Sequence, residues 1–403
     1  MSHSTSDTRA ARAHLYDQVS LGKIVQIRDQ LLATHAAGKP VFRFESGDPS
    51  FSPPAHVIDA INAAARAGKT HYVSNNGIPE LREALAQKVV AKNRIEGITA
   101  NDVFVTNGAI QALFTTFSSL LSPGDEVLIP DPMWTETGDI IRLTGGVPRG
   151  VPIRAEHGFT YRPEDIEAAI TPRTAVIFLN TPHNPTGAVL GRETLRAIID
   201  VARRHNLWII SDEAYEDIIF APNVHYSTAS LAGDYAARVV SIFSFSKSHA
   251  LAGLRIGCVV TRSSLLRARL PKILRCSTNG VNSLAQWGAL AAVTGNQDHI
   301  AANCAAYLER RDIMLEALRG IPGVHPFTPE GTFFIWADLD PTLYERLEVR
   351  DADALSKRLA SDGIGSVPGD AFGATCEDAI RLSFSCDTTM VREGSALLRG
   401  ALS

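Results

Sequence analysis

Three stretches of this 403-residue chain place chemically capable side chains just past the ends of apolar runs. The first is Ser244-Phe245-Ser246-Lys247, followed by Gly253-Leu254-Arg255-Ile256-Gly257. A lysine leaving the end of a buried strand is costly unless something uses or pairs its amine. The second is Asp212-Glu213-Ala214-Tyr215, which continues the near-continuous apolar run 207–211. A carboxylate at the C-terminal end of a parallel strand lies where ligands of open α/β sheets bind. The third is Asn180-Thr181-Pro182-His183-Asn184-Pro185-Thr186-Gly187. Two X-Pro bonds and a glycine make it a stiff turn that presents Asn184 in a fixed orientation. Taken singly, each has a plainer reading: a surface lysine at a helix start, an N-cap aspartate, a structural turn.

Positioning these groups requires a particular set of elements. From about residue 100, short β-branched runs at 103–106, 126–130, 174–180, 207–211, 239–243 and 254–260 alternate with helical segments such as 109–121 and 192–205. That alternation predicts a mainly parallel sheet covered by helices, an α/β fold. After Asp298 the texture changes to a long charged helix, strands at 332–339 and 379–385, and a closing helix over 388–402. Strands and helices that no longer alternate predict a second, α+β domain. Length alone asks for about two to three domains.

Taken together, these motifs resemble the aspartate-aminotransferase superfamily, the class I/II, fold type I enzymes that use pyridoxal 5′-phosphate. At least five motifs share the family's order and spacing, from about Phe44 to the last helix. The resemblance implies a seven-stranded-type sheet sandwiched by helices in a large cofactor domain (48–297), and a smaller domain built from both chain ends (1–47 and 298–403). Lys247 looks like the Schiff-base lysine that holds the cofactor aldehyde and moves the proton between Cα and C4′. Asp212 looks like the partner of the pyridine nitrogen, and Asn184 and Tyr215 like the pair that hydrogen-bonds the ring 3′-oxygen. Gly108, Ala109 and Ile110 open a helix whose backbone N–H groups would meet the phosphate, with Ser244 and Arg255 as further contacts. Tyr72 matches the tyrosine that reaches this phosphate from the neighbouring subunit, which implies a homodimer with shared active sites. Trp134 matches the aromatic that stacks on the cofactor ring. Arg381 looks like the clamp on the substrate α-carboxylate, and Gly47 like the glycine whose backbone approaches that group.

The chain also departs from the pattern. It approaches the bacterial aspartate-specific subgroup through Ser277-Thr278-Asn279 and Ala285-Gln286, yet Ile110 stands where that subgroup has a lysine reading the distal carboxylate. His183 is shared with some methionine- and aromatic-type relatives, and Leu21, Ile24 and Trp134 offer an apolar side-chain pocket. The implied reaction moves an amino group from an L-α-amino acid to a 2-oxo acid through the pyridoxamine form of the cofactor. β-Elimination, oxidation and racemisation remain alternatives on the same fold, because the motifs hold the cofactor and the α-carboxylate common to all of them.

Composition limits the rest. With 39 basic and 43 acidic residues the net charge is −4, so no broad basic field exists for nucleic acid. The segment before Gly47 is too short and too weakly basic for the winged-helix module of a regulator built on this fold. Cys258, Cys276, Cys304, Cys376 and Cys386 are scattered singly, which predicts neither a metal knuckle nor a disulfide framework and suits a reducing, cytoplasmic setting. The polar amino terminus reads as a frayed tail, not a secretory signal. The uncharged stretch 103–124 is long enough to cross a bilayer but too polar, with Asn107, Gln111 and several hydroxyls.

Overall fold

The computed structural model describes Asp17, Val19 and residues 22–403; the expected tail and Leu21 lie outside the described residues. Seven strands form the main sheet: β1 (Val103–Thr106), β2 (Glu126–Asp131), β3 (Val147–Pro152), β4 (Thr174–Asn180), β5 (Trp208–Asp212), β6 (Val239–Ser244) and β7 (Gly257–Thr261). Their order is β1-β7-β6-β5-β4-β2-β3. Only β7 runs against its neighbours; the other pairings are parallel.

Strand β4 shows why the sequence reads as a covered sheet. Val176 and Phe178 join a cluster on one face with Phe104, Phe117 and Ile210, while Ile177 and Leu179 join the opposite cluster with Ile198, Ile199 and Ile209. A strand buried on both faces needs a continuous apolar run instead of alternation. The uncharged stretch 103–124 resolves into β1 and the helix Gly108–Leu120, and no helix among the described residues is long and apolar enough to cross a membrane.

The second sheet contains β8 (Val324–Pro326), β9 (Phe334–Leu339), β10 (Val367–Pro368) and β11 (Ala379–Ser383), antiparallel in the order β10-β11-β9-β8. Helices Asp298–Leu318 and Thr388–Leu402 cover it through Met314, Leu315, Val391 and Leu398. The N-terminal segment joins the same layer: Phe42 and Phe44 lie in this core, Gly365 N–H donates to Phe42 O at 2.8 Å, and Ser383 N–H donates to Phe44 O at 2.6 Å.

Two expected strands start later than their sequence suggests. Residues 252–254 form a short 3-10 turn and Arg255 takes a left-handed conformation (φ 56°), so β7 begins at Gly257 and not at 254. Phe334 opens β9 two residues after the expected start, because Thr332 is also left-handed (φ 62°). Strand β3 escapes the sequence reading altogether: it is a mostly exposed edge carrying Pro148 and Gly150, residues that weaken any strand signal.

Candidate active site

The carboxyl ends of β4, β5 and β6 lie side by side, so Asn180, Asp212 and Ser244 reach the same edge of the sheet. Asn180 and Asp212 are register partners. Asn180 Nδ2 donates to Asp212 O at 3.2 Å, and Asn180 Oδ1 accepts the Asn184 N–H at 2.8 Å. One buried amide thus fastens the Asn184 turn to the strand that carries Asp212. The sequence reading passed over Asn180, although its place as the last residue of an apolar strand is the signal that would have found it.

Asp212 is buried, and among the described residues its carboxylate accepts a single hydrogen bond, from the Ala214 N–H at 3.1 Å. Removal from water, reinforced by the neighbouring Glu213, pushes its carboxyl up to about 7; the Ala214 bond and the Lys247 charge act the other way. Lys247, in the turn after β6, donates from Nζ to Gly47 O at 2.6 Å and lies 5.5 Å from the ring centres of both Tyr215 and Phe333. Burial, with Arg381 and Arg255 adding repulsion, pushes its amine down to about 8 despite the attraction of Asp48 and Asp212. Tyr215 is buried against the edges of Phe333 and Phe334, and burial raises its phenol well above the ordinary value.

Arg381 projects from β11 and is 2% exposed. Its guanidinium donates from Nη1 to Asn184 Oδ1 at 3.0 Å and from Nη2 to Glu45 O at 2.7 Å, while Nε is buried without a partner among the described residues. Phe334 and Phe372 place their ring centres 4.2 and 4.9 Å from it. Burial lowers it to about 10. An arginine held this way spends two donors on positioning and keeps capacity for an anion.

At the other end of the cavity, β1 ends where β7 begins, Thr106 facing Gly257. The helix Gly108–Leu120 starts there, with Ala109 and Ile110 lining the cavity. A Cβ at Gly257 would lie 2.7 Å from Phe243 O and 2.8 Å from Gly108 C, so only glycine admits this close approach of strand and helix end. Arg255 arrives from the same crossing, with Nη1 donating to Ala252 O at 2.8 Å. A Cβ at Gly108 (φ 71°) would come within 2.9 Å of Arg255 Nη2. The guanidinium therefore rests against the start of the helix, and a fixed cation sits beside a helix N-terminus.

These groups share one cavity of about 560 Å³, lined among others by Gly47, Trp134, Asn184, Ser244, Lys247 and Arg381. Ile24, from the N-terminal helix Lys23–Ala36, also lines it. So does Glu136, a residue the sequence reading missed, because an acidic residue in the first turn of the helix Thr135–Leu143 looks like an ordinary dipole complement. Two residues lie elsewhere. His183 is buried outside the cavity lining, with Nδ1 2.8 Å from Thr186 Oγ1, and burial pushes it down to about 3. Tyr72 is 91% exposed and lines a separate surface hollow with Thr278 and Asn279.

Comparison with known proteins agrees with this geometry. The family described as aminotransferase class I and II matches residues 39–396. A probable aspartate/prephenate aminotransferase of Thermus aquaticus is 35% identical over 364 residues, 90% of this chain and 91% of that protein. An arginine–pyruvate transaminase of Pseudomonas aeruginosa is 35% identical over 368 residues, 91% of each chain. The solved structure of the aspartate aminotransferase from Thermus thermophilus with maleate superposes with a TM-score of 0.89 at 31% identity, covering 97% of this chain and 99% of that one. With fold, edge-of-sheet cavity and sequence in agreement over nearly its whole length, the chain belongs to the class I and II aminotransferase family, and its reaction is transamination.

Proposed function

We propose that this aminotransferase works with pyridoxal 5′-phosphate held by Lys247, and transfers the amino group of an L-α-amino acid to a 2-oxo acid. The single observation that carries this reading is the meeting of Lys247, Asp212, Arg255 and Arg381 in one cavity at the carboxyl edge of the sheet. The residues fit the group. Asp212, with one hydrogen bond and a carboxyl pushed up by burial, suits a cationic ring nitrogen. Arg255 beside the Gly108 helix start suits a phosphate, and the unpartnered Arg381 Nε marks spare donor capacity at the opposite end.

When bound, the cofactor supplies an aldehyde that accepts the amino group and a ring that takes up the electrons left at Cα. The chain's own groups set up that chemistry. Lys247, lowered to about 8, is neutral in a useful fraction near neutral pH, so its Nζ can take the proton from the substrate Cα. Asp212 keeps the ring nitrogen protonated, and Asn184 and Tyr215 serve the ring oxygen. Trp134 stacks on the ring. Ser244, Ala109, Ile110 and Arg255 hold the phosphate, while Arg381 and Gly47 take the α-carboxylate.

Two further parts belong to the same reading. Tyr72 completes the site of a neighbouring subunit in a homodimer, supported by the exposure of a large aromatic ring outside its own cavity. The division at 48–297 against 1–47 and 298–403 is part of this proposal, supported by the presence of two separate sheets, and the cytoplasmic setting accords with five free cysteines. Reduction of the cofactor-loaded protein with borohydride, followed by peptide mapping, tests the assignment: the cofactor adduct is expected on Lys247, and an adduct on any other lysine overturns it.

A further inference from the structure

The charges of the cavity are unevenly distributed. Its three cations are Lys247, Arg255 and Arg381. Under the proposed function all three are committed, to the cofactor aldehyde, the phosphate and the α-carboxylate. The lining left for the substrate side chain includes Ile24 and the side chain of Ile110, which is 44% exposed. Among the described residues, no further lysine or arginine lines the cavity to receive a second carboxylate. The patch around Tyr72 adds none: it is lined by Thr70, His71, Val73, Thr278 and Asn279, without lysine or arginine.

The same wall carries an anion instead. Glu136 follows Trp134 by two residues, and its carboxylate accepts a hydrogen bond from the Thr135 hydroxyl. Among the described residues it makes no ion pair with any lysine, arginine or histidine. It is close enough for its charge to be felt at both Arg381 and Tyr215. The other acidic residues of the lining are Glu45, Asp48 and Asp212; Glu45 acts on Arg381, and Asp48 and Asp212 on Lys247. A second carboxylate entering here meets a like charge that no contact ion pair neutralises. A long aliphatic stem ending in a cation meets apolar side chains and then the Glu136 carboxylate, which no cation pairs at contact distance.

We propose that Glu136 is a specificity residue that reads the end of the substrate side chain, and that the preferred amino donors are basic amino acids of the arginine, ornithine and lysine type. This rests on the transaminase reading of the site given above.

The test uses the cofactor-loaded enzyme without acceptor, following conversion of the bound cofactor by L-arginine, L-norleucine and L-aspartate. The arginine rate constant per unit concentration is expected to exceed those for norleucine and aspartate by about tenfold or more. Raising salt from about 0.05 to about 0.5 M is expected to lower the arginine-to-norleucine ratio, because screening weakens a charge contact but not an apolar one. Glu136→Gln is expected to lower that ratio about tenfold, and Glu136→Lys to shift preference toward aspartate. A ratio that neither salt nor Glu136→Gln changes, or a wild type that prefers aspartate, overturns the role of Glu136 while leaving transamination standing. Failure of all twenty amino acids to convert the cofactor overturns both. The salt series uses only the wild type, so an unchanged ratio overturns a charge contact even if a variant does not fold.

Discussion

Lys247 Nζ donates to the carbonyl of Gly47 at 2.6 Å, joining the turn after β6 to a segment 200 residues earlier in the chain. Two residues before Gly47, the Glu45 carbonyl accepts from Arg381 Nη2. A single short stretch therefore holds both the Lys247 amine and the Arg381 guanidinium. Under the proposed function, a covalent link at Lys247 would replace its bond to Gly47, while the Arg381 bond to Glu45 would remain.

Lys247→Ala is expected to abolish the borohydride-trapped adduct and to lower turnover by about a thousandfold or more, since both the covalent anchor and the proton carrier are lost. Absorbance of the linked cofactor and turnover with a saturating amino acid check this. An unchanged spectrum removes Lys247 from its role.

Arg381→Lys retains a positive charge but not the forked geometry that spans Asn184 and Glu45. We expect kcat/KM to fall by about 2–4 kcal/mol in transition-state binding, similarly for every amino acid, because the α-carboxylate is common to all. A loss confined to one substrate class reassigns the residue.

In the cofactor-free protein, the Asp212 carboxyl sits at about 7 instead of the 3.8 of an ordinary aspartate. Between those values the folded state holds a proton that the unfolded chain has released, so stability falls as pH rises through this window. Asp212→Asn removes the loss. The variant is expected to be about 2–4 kcal/mol more stable than wild type near pH 8, with the gain vanishing near pH 4. Urea midpoints across that range measure it; a gain independent of pH contradicts the burial account.

Gly257→Ala places a methyl group against Phe243 O and the Gly108 backbone, none of which is a flexible side-chain end. A destabilisation of about 1–3 kcal/mol is expected. Weaker cofactor retention should accompany it, because the helix start and Arg255 both pack at this crossing. Denaturation midpoints and a cofactor-release assay report the two effects. Wild-type values for both contradict the proposed cradle.

Tyr72→Phe and Lys247→Ala carried on different chains provide a test of the shared site. If Tyr72 serves the neighbouring subunit, mixing the two variants under conditions of subunit exchange yields one kind of site that lacks both groups and one that lacks neither. Activity is then expected to rise above the average of the separate variants. No rise, or a monomer by sedimentation, contradicts the arrangement.

Much of the site was legible because strand ends are. Asp212 closes an apolar strand, Lys247 follows shortly after the end of another, and their motifs fall in a recognisable order. Sequence spacing does not carry what depends on contacts between distant segments. Nothing near Gly47 announces that its carbonyl receives Lys247, and nothing around Asn180 announces that it clamps both Asn184 and Asp212. Glu136 was hidden by its plausibility as a helix first-turn acid, and nothing beside His183 announces that it is buried outside the cavity lining. The onset of β7 was misplaced because the left-handed turn at Arg255 is set by tertiary packing, not by local preference.

The most direct test of the account is a single half-reaction. Cofactor-loaded enzyme mixed with an L-amino acid it accepts, in the absence of any 2-oxo acid, is expected to release a single equivalent of the product 2-oxo acid per site and no ammonia. It should then stop until a 2-oxo acid acceptor is added. Continued turnover without acceptor, with ammonia released, contradicts transamination as the reaction of this site.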